Sequence, residues 1–321
     1  MLWEALGATL GTSFGLGYTL YYSTPLIFTG LAVGLSFHAG LFNIGAEGQL
    51  YVGSIAMVIA SQTMPWLPRV VAIPMVIFFA LIGGAIWGGI PGFLKARRGS
   101  HEVIVTILFN FIAYSLIDYL ILYRFKNPEV QNPETVSLNP QFWLPSLHEV
   151  FGLFPSTPVN LSLFIALLAA VGVYALLFHT TIGFELRAVG KSPTAARFAG
   201  ISVSRNVTFA LALSGALAAM VGLNEVMGHQ HRVIEGFSPG YGFTGIAVAL
   251  LARSHPLGIL LSAFLFGALH NSAREIEFLS EKVTKELSLV LQGTLITFIA
   301  SDYLFEKFIT SRFRKSRGKS S

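Results

Sequence analysis

From Thr24 onward, apolar stretches follow one another, separated by short polar or glycine-rich joints. The pattern predicts helix after helix at about 23–38, 46–62, 69–91, 102–123, 159–180, 205–226, 243–254, 256–271 and 286–305. Several fall short of the roughly 20 residues that cross a bilayer unaided. Short, glycine-interrupted segments of this kind point to a transport pathway. The expected fold class is an all-α polytopic membrane protein of about 8–10 transmembrane helices, with short or broken helices around a central pathway. Residues 1–22 are only moderately apolar and rich in Gly and Thr. They lack the basic start and small-residue cleavage site of a signal peptide, so a re-entrant or interfacial segment is expected there. The transmembrane domain then runs 23–305, with a basic tail at 306–321.

One polar stretch interrupts the apolar pattern, Phe42-Asn43-Ile44-Gly45-Ala46-Glu47-Gly48-Gln49. An ionised carboxylate in hydrocarbon costs roughly 2.5–3.5 kcal/mol on insertion scales. Gly45 and Gly48 flank Glu47, and glycine lets a helix break or another backbone approach closely. Two readings stay open: an unwound joint between helical segments facing protein or water, or a polar loop at the bilayer surface.

Composition fits the membrane class. Hydrophobic residues make up 53% and charged residues only 12%, with a mean hydropathy of +0.66. There is no cysteine, which excludes disulfides, thiolate metal sites and thiol nucleophiles. The net charge of +5 does not point to nucleic acid, because the basic residues cluster in short loops and at the C-terminus. Lys95, Arg97 and Arg98 share one loop; Arg187, Lys191, Arg197 and Arg205 share another. Arg253 marks a tight turn, and the tail carries Lys307, Arg312, Arg314, Lys315, Arg317 and Lys319. Placing these 14 of the 21 basic residues inside gives a cytoplasmic C-terminus by the positive-inside rule. Loops 124–158, 227–242 and 272–285 then face outward. The first holds six prolines and is expected to be an external docking surface. In the third, Ile276, Leu279 and Val283 recur at helical spacing among charges, which predicts a short amphipathic helix.

The second informative stretch runs from Gly183 to Ile201, within a loop at 181–205. Ser192 suits a helix N-cap, Pro193 the first helical position, and Gly200 a C-terminal stop. A helix of about two turns is marginal alone, so packing must hold it. Ala195, Ala196 and Ala199 keep it thin enough for a groove. An ordinary helical connector lying on the membrane is the other reading.

Thr24-Pro25-Leu26-Ile27-Phe28-Thr29-Gly30-Leu31-Ala32-Val33, followed by Ala39-Gly40-Leu41 and the Phe42–Gln49 stretch, resembles permeases of ATP-binding cassette (ABC) importers. The similarity is to the branched-chain amino acid and simple sugar permease superfamily, nearest its nucleoside-uptake branch. Glu102-Val103-Ile104 with Asn110 resembles that branch's next motif. Leu186-Arg187-Ala188-Val189-Gly190, with Ala195-Ala196-Arg197 and Ala199-Gly200-Ile201, resembles its ATPase-coupling loop. The likeness runs from about residue 20 to 305. Such permeases usually begin with an additional hydrophobic helix; either the chain starts after it or residues 1–22 take its place.

The resemblance implies an importer subunit in a bacterial cytoplasmic (inner) membrane, working by alternating access. Its implied partners are a cytoplasmic ABC ATPase, a second homologous permease, an extracytoplasmic substrate-binding protein and a small-molecule substrate. A nucleoside or related ribosyl or sugar-like solute leads. Asn43, Glu47, Gln49 and Asn110 are candidate path-lining residues, able to hydrogen-bond a ribose or base, although each can instead fasten helices together. Glu185, Arg187, Gly190, Lys191, Ser192, Pro193, Ala195, Ala196, Arg197 and Gly200 are the expected coupling loop. The chain is expected to hold no cofactor, ATP and Mg belonging to the partner. Its Gly-Lys-Ser at 318–320 has Phe313 where a phosphate-binding loop needs glycine. His229-Gln230-His231 lacks further ligands for a metal, and no catalytic constellation stands out. An ion-gradient-driven secondary transporter or channel is the alternative; it needs an intramembrane ion or proton relay, for which Glu47 alone is thin. Thr29-Gly30-Leu31-Ala32-Val33-Gly34-Leu35 also echoes Thr244-Gly245-Ile246-Ala247-Val248-Ala249-Leu250, as transporter repeats do.

Overall fold

In the computed structural model, residues 2–279, 290, 293 and 294 are described. In chain order the helices are α1 Leu2–Gly11, α2 Ser13–His38, α3 Ala46–Thr63, α4 Arg69–Arg98, α5 Glu102–Tyr119 and α6 Leu147–Phe151. They continue with α7 Ser162–His179, α8 Thr181–Lys191, α9 Pro193–Phe198, α10 Val203–Ala219, α11 Tyr241–Leu251 and α12 Pro256–Leu279. π-Helical turns at Leu120–Arg124 and Leu223–Gln230 extend α5 and the α10 span. Among the described residues there is no strand, and six helical spans are long and apolar enough to cross a membrane. α3 has 18 residues and α11 only 11. At 1.5 Å per residue α11 reaches about half of a 30 Å hydrocarbon core.

The layering follows hydropathy in an inverted way. α2 is among the less apolar spans yet 83% of its window is buried, whereas the more apolar α4 has 22% buried. A helix surrounded by protein does not need an oily surface; one facing lipid does. The boundary of the N-terminal segment moves: residues 13–22, read as part of it, are the first turns of α2. Thr12 caps that helix by accepting the Gly15 amide at 2.9 Å.

Small residues set the closest approach. Gly84, Gly88 and Gly92 recur every four residues on α4, and a Cβ on each would meet α10 at Gly215, Leu211 and Thr208 respectively. This is the small-residue packing that membrane helices use to bring backbones together. The echoed segments also pack on each other. A Cβ on Gly30 would meet Val248, and one on Gly245 would meet Thr29.

One expectation changes at the C-terminal end. The amphipathic helix read at 272–285 is, as far as Leu279, the continuation of α12, with Ser272, Ala273 and Ile276 buried. Its remainder, most of the span at 286–305 and the tail at 306–321 lie outside the described residues. The proline-rich loop 124–158 is tied to 227–235. Thr135 N donates to Val233 O at 2.9 Å, Leu138 N to His231 O at 2.7 Å, and Leu144 N to Met227 O at 2.9 Å. Glu134, almost fully buried, pairs with Arg232 at 3.1 Å.

Candidate functional site

The polar stretch between α2 and α3 is a buried joint. α2 stops at His38, and Gly40 turns the chain with φ +72°. After the irregular 41–45, α3 begins at Ala46. Asn43 organises the turn: its Oδ1 accepts the Gly45 amide at 2.9 Å, and its Nδ2 donates to Gln49 Oε1 at 2.9 Å and Ser214 Oγ at 2.8 Å. Ser214 passes the contact on, donating to Ala32 O at 2.6 Å. From α5, Asn110 accepts the Gly48 amide at 2.8 Å and donates to Ile44 O at 2.9 Å. Its Oδ1 stands 2.8 Å from where a Gly48 Cβ would be. Unwound backbone at membrane depth needs such partners, because hydrocarbon supplies none.

Glu47 completes the joint. It lies in the first turn of α3, and its Oε2 accepts a 2.6 Å hydrogen bond from Gly242 N in the first turn of α11. Two helix N-termini thus share one carboxylate, and both positive ends of the peptide dipoles favour it. Ser238, in the loop before α11, accepts the amides of Gly240 at 3.3 Å and Tyr241 at 3.1 Å. Tyr51 of α3 braces that loop, with Phe237 at 4.7 Å between ring centres.

The structure therefore brings Asn43, Glu47, Gln49 and Asn110 into one cluster. All are at most 2% exposed. Their contacts fit the fastening role left open by the sequence.

A second polar cluster lies on the other side of the α11 N-terminus. Glu225 Oε2 accepts from Tyr21 OH at 2.7 Å, and Oε1 from Asn224 Nδ2 at 3.1 Å and Tyr241 OH at 3.2 Å. Pro25 lacks an N–H, so the Tyr21 carbonyl one turn back loses its helical donor. Asn224 Nδ2 stands in for it at 3.4 Å. Asn160 and Ser162 hydrogen-bond to Asn224 in turn. Sequence reasoning missed this cluster, although a carboxylate inside the 205–226 span carries the same signal as Glu47.

The stretch 181–205 forms α8, α9 and the first turn of α10. Ser192 caps α9, accepting the Ala195 amide at 3.3 Å, with Pro193 in the first turn. Ala196 turns inward and is buried, whereas Ala195, Arg197 and Ala199 face out and Phe198 is 90% exposed. The sequence reading took the three alanines only as keeping the helix thin, without saying which of them faces the bundle. Glu185 accepts from Asn206 and Arg205, each at 2.9 Å. Those hydrogen bonds, Asn206's first, hold its carboxyl below the usual carboxylate range. Arg187 lies over the Phe178 ring at 5.1 Å. Lys191 and Gly200 (φ +81°) are exposed at the two ends of the short helix.

Gly190 connects this arm to the joint. A Cβ there would strike His38 O, and one on Gly40 would lie 3.0 Å from Gly190 Cα. The end of α2 is also held by His38 Nε2 against Ser254 O, 3.0 Å away in the turn between α11 and α12. Among the described residues no group of three His, Asp or Glu is placed to hold a metal. His231 stacks on Trp143 with ring centres 4.0 Å apart, and its Nδ1 meets Met227 O at 3.1 Å. Burial holds its imidazole below the ordinary range.

An all-helical bundle with a broken, buried joint held by polar side chains and a short helix displayed on an amphipathic arm defines a membrane transport permease. Residues 15–300 match the family described as the branched-chain amino acid transport system permease component, and the chain belongs to that family. It is 36% identical over 318 residues to the guanosine ABC transporter permease protein NupP of Bacillus subtilis (strain 168), covering 98% of this chain and 88% of that one. It is 36% identical to the glucose ABC transporter permease protein TsgB13 of Haloferax volcanii, covering 94% and 80%. The nucleoside ABC transporter permease protein NupB of Lactococcus lactis subsp. cremoris is 34% identical, covering 93% and 82%. The chain is a multi-pass permease subunit of the ABC importer type.

Proposed function

We propose that this chain imports nucleosides, as one of two homologous permeases driven by a cytoplasmic ABC ATPase pair and fed by an extracytoplasmic binding protein. Support for the substrate comes from the nucleoside permeases among its relatives; the glucose permease makes a sugar the competing substrate. ATP and Mg belong to the ATPase. The membrane is a bacterial cytoplasmic membrane, with the basic tail and the 181–205 loop on its inner face.

The observation that carries the mechanism is the display of Phe198. A nearly bare aromatic ring on a two-turn helix, with Ala196 turned inward behind it, suits insertion into a partner's groove. Motion of α9 passes through α8 to Gly190, which touches the end of α2 where the joint begins. The joint holds α3, and Glu47 ties it to α11. An ATPase pulling on α9 thus shifts the half-helix α11 against α3, and rocking elements about a central path is how alternating access works.

The test is an uptake panel in cells lacking their own nucleoside importers. Expression of the full transporter should restore uptake of radiolabelled adenosine or guanosine, and unlabelled glucose in hundredfold excess should leave it unchanged. Glucose uptake without nucleoside uptake would overturn the substrate assignment.

A further inference from the structure

The C-terminal end of α4 and the N-terminal end of α10 enclose an open groove of about 850 Å³ that lies apart from the joint and shares Ser202 and Arg205 with the coupling arm. Arg97, Arg205, Ser202, Ser204 and Thr208 line its polar half; Phe93, Phe209 and Ala212 belong to its apolar half. Among the described residues lining it, none is acidic.

The two halves are ordered along the axes of α4 and α10. On α4, Ile82, Ile86, Ile90 and Phe93 are exposed at helical spacing, and Arg97 follows one turn later at the helix end. An outward apolar stripe on a spanning helix meets acyl chains, and its terminal arginine sits at headgroup depth. Phe209 and Arg205 repeat the order on α10, ring deeper and guanidinium nearer the end. Arg97 lies 5.8 Å over the Phe93 ring and is exposed. Arg205 gives its Nη2 to Glu185 yet remains 71% exposed. Guanidinium groups bind phosphate oxygens in a bidentate fork, and the α10 N-terminus adds favourable dipole charge.

We infer that this groove is a binding site for an anionic phospholipid, its phosphate between Arg97 and Arg205 and an acyl chain along Phe93, Phe209 and Ala212. Charge selects the occupant: Arg97 and the part of the Arg205 guanidinium that Glu185 leaves exposed favour an anionic headgroup over a zwitterionic one, whose cation they repel. The site requires only that α4 and α10 cross the membrane and is independent of the transported substrate. Because Arg205 also holds Glu185 in the coupling arm, an occupied groove braces the start of α10.

The test is native mass spectrometry of the purified, assembled transporter after incubation with phosphatidylglycerol or phosphatidylcholine of identical acyl chains. Each copy of this chain should retain one phosphatidylglycerol with at least tenfold preference. Arg97→Gln should lose that preference about tenfold at an unchanged melting temperature, and Arg97→Lys should keep most of it. Arg98→Gln, on the same turn but outside the groove, should behave like the parent. Millimolar glycerol phosphate should not displace the lipid; displacement would make this a soluble-phosphate site. A photo-crosslinker at Ser204→Cys, in the groove lining, should capture lipid, and capture of the ATPase or the second permease would make the groove a subunit interface. Equal retention by Arg97→Gln, or an Arg98→Gln loss of the same size, overturns the proposal.

Discussion

Glu47 and Gly242 are 195 residues apart in sequence and joined by a 2.6 Å hydrogen bond from the glycine amide to the carboxylate. A Cβ on Gly242 would run into the backbone of Glu47, so the bond depends on the glycine as much as on the carboxylate. It fastens the half-helix α11 to the start of α3. Removing the acceptor leaves a buried N–H unpaired, a loss of about 1–3 kcal/mol.

Glu47→Leu should therefore abolish uptake and lower the melting temperature of the purified assembly by roughly 2–10 °C. Glu47→Gln keeps an acceptor oxygen for Gly242 and should retain partial transport and most of the stability. Thermal melting followed by size-exclusion chromatography, read beside uptake, checks both. Normal uptake by Glu47→Leu would show that the tie is idle.

The coupling arm yields a contrast between two neighbours. Phe198→Ala removes an exposed ring, so the permease should melt normally while its affinity for the ATPase falls about 30-fold, as expected for an aromatic anchor. Ala196→Asp puts a carboxylate into a buried position of the chain's own packing, at a cost of several kcal/mol. It should destabilise the arm even without an ATPase present. Limited proteolysis of 181–205 and ATPase pull-down separate the two outcomes. Intact ATPase binding by Phe198→Ala would place the docking surface elsewhere.

Gly190→Ala tests the relay. Its new methyl collides with the backbone at the end of α2, and overpacking costs about 1–3 kcal/mol. ATPase binding should survive, while substrate transported per ATP hydrolysed should fall several-fold. Gly172→Ala, whose Cβ would enter open space, should match the parent in the same assay.

The chain has no cysteine, so single introduced thiols report sidedness directly. Gln131→Cys should react with an impermeant maleimide in sealed cells; Thr194→Cys should react only after permeabilisation. Both residues are exposed. Labelling of Thr194→Cys in sealed cells would reverse the orientation. Ser280 and Ser316, which the loop pattern places on opposite sides, lie outside the described residues.

Much of this was legible because membrane proteins write their helices as apolar runs, and charge inside such a run stands out. Glu47 and Asn43 were visible on those grounds, and the short helix of the 185–201 arm through its cap residues Ser192, Pro193 and Gly200. The start of α2 was not, because a helix wrapped in protein is under no pressure to be oily, and its Gly- and Thr-rich first turns read as an interfacial segment. Glu225 carried the right signal inside an apolar span, but Tyr21, Asn224 and Tyr241, which partner it, come from distant turns. Helix geometry puts Ala196 and Phe198 on opposite faces, but which of them faces inward is set by tertiary contact.

The most direct measurement of the central claim is radiolabelled guanosine uptake into proteoliposomes holding this permease, its partner permease and the ATPase pair. ATP should be supplied on the ATPase side and binding protein on the other. Uptake should require both, and collapsing ion gradients with ionophores should leave it unchanged. Accumulation without ATP, abolished by the ionophores, would contradict the account and make the chain an ion-driven transporter.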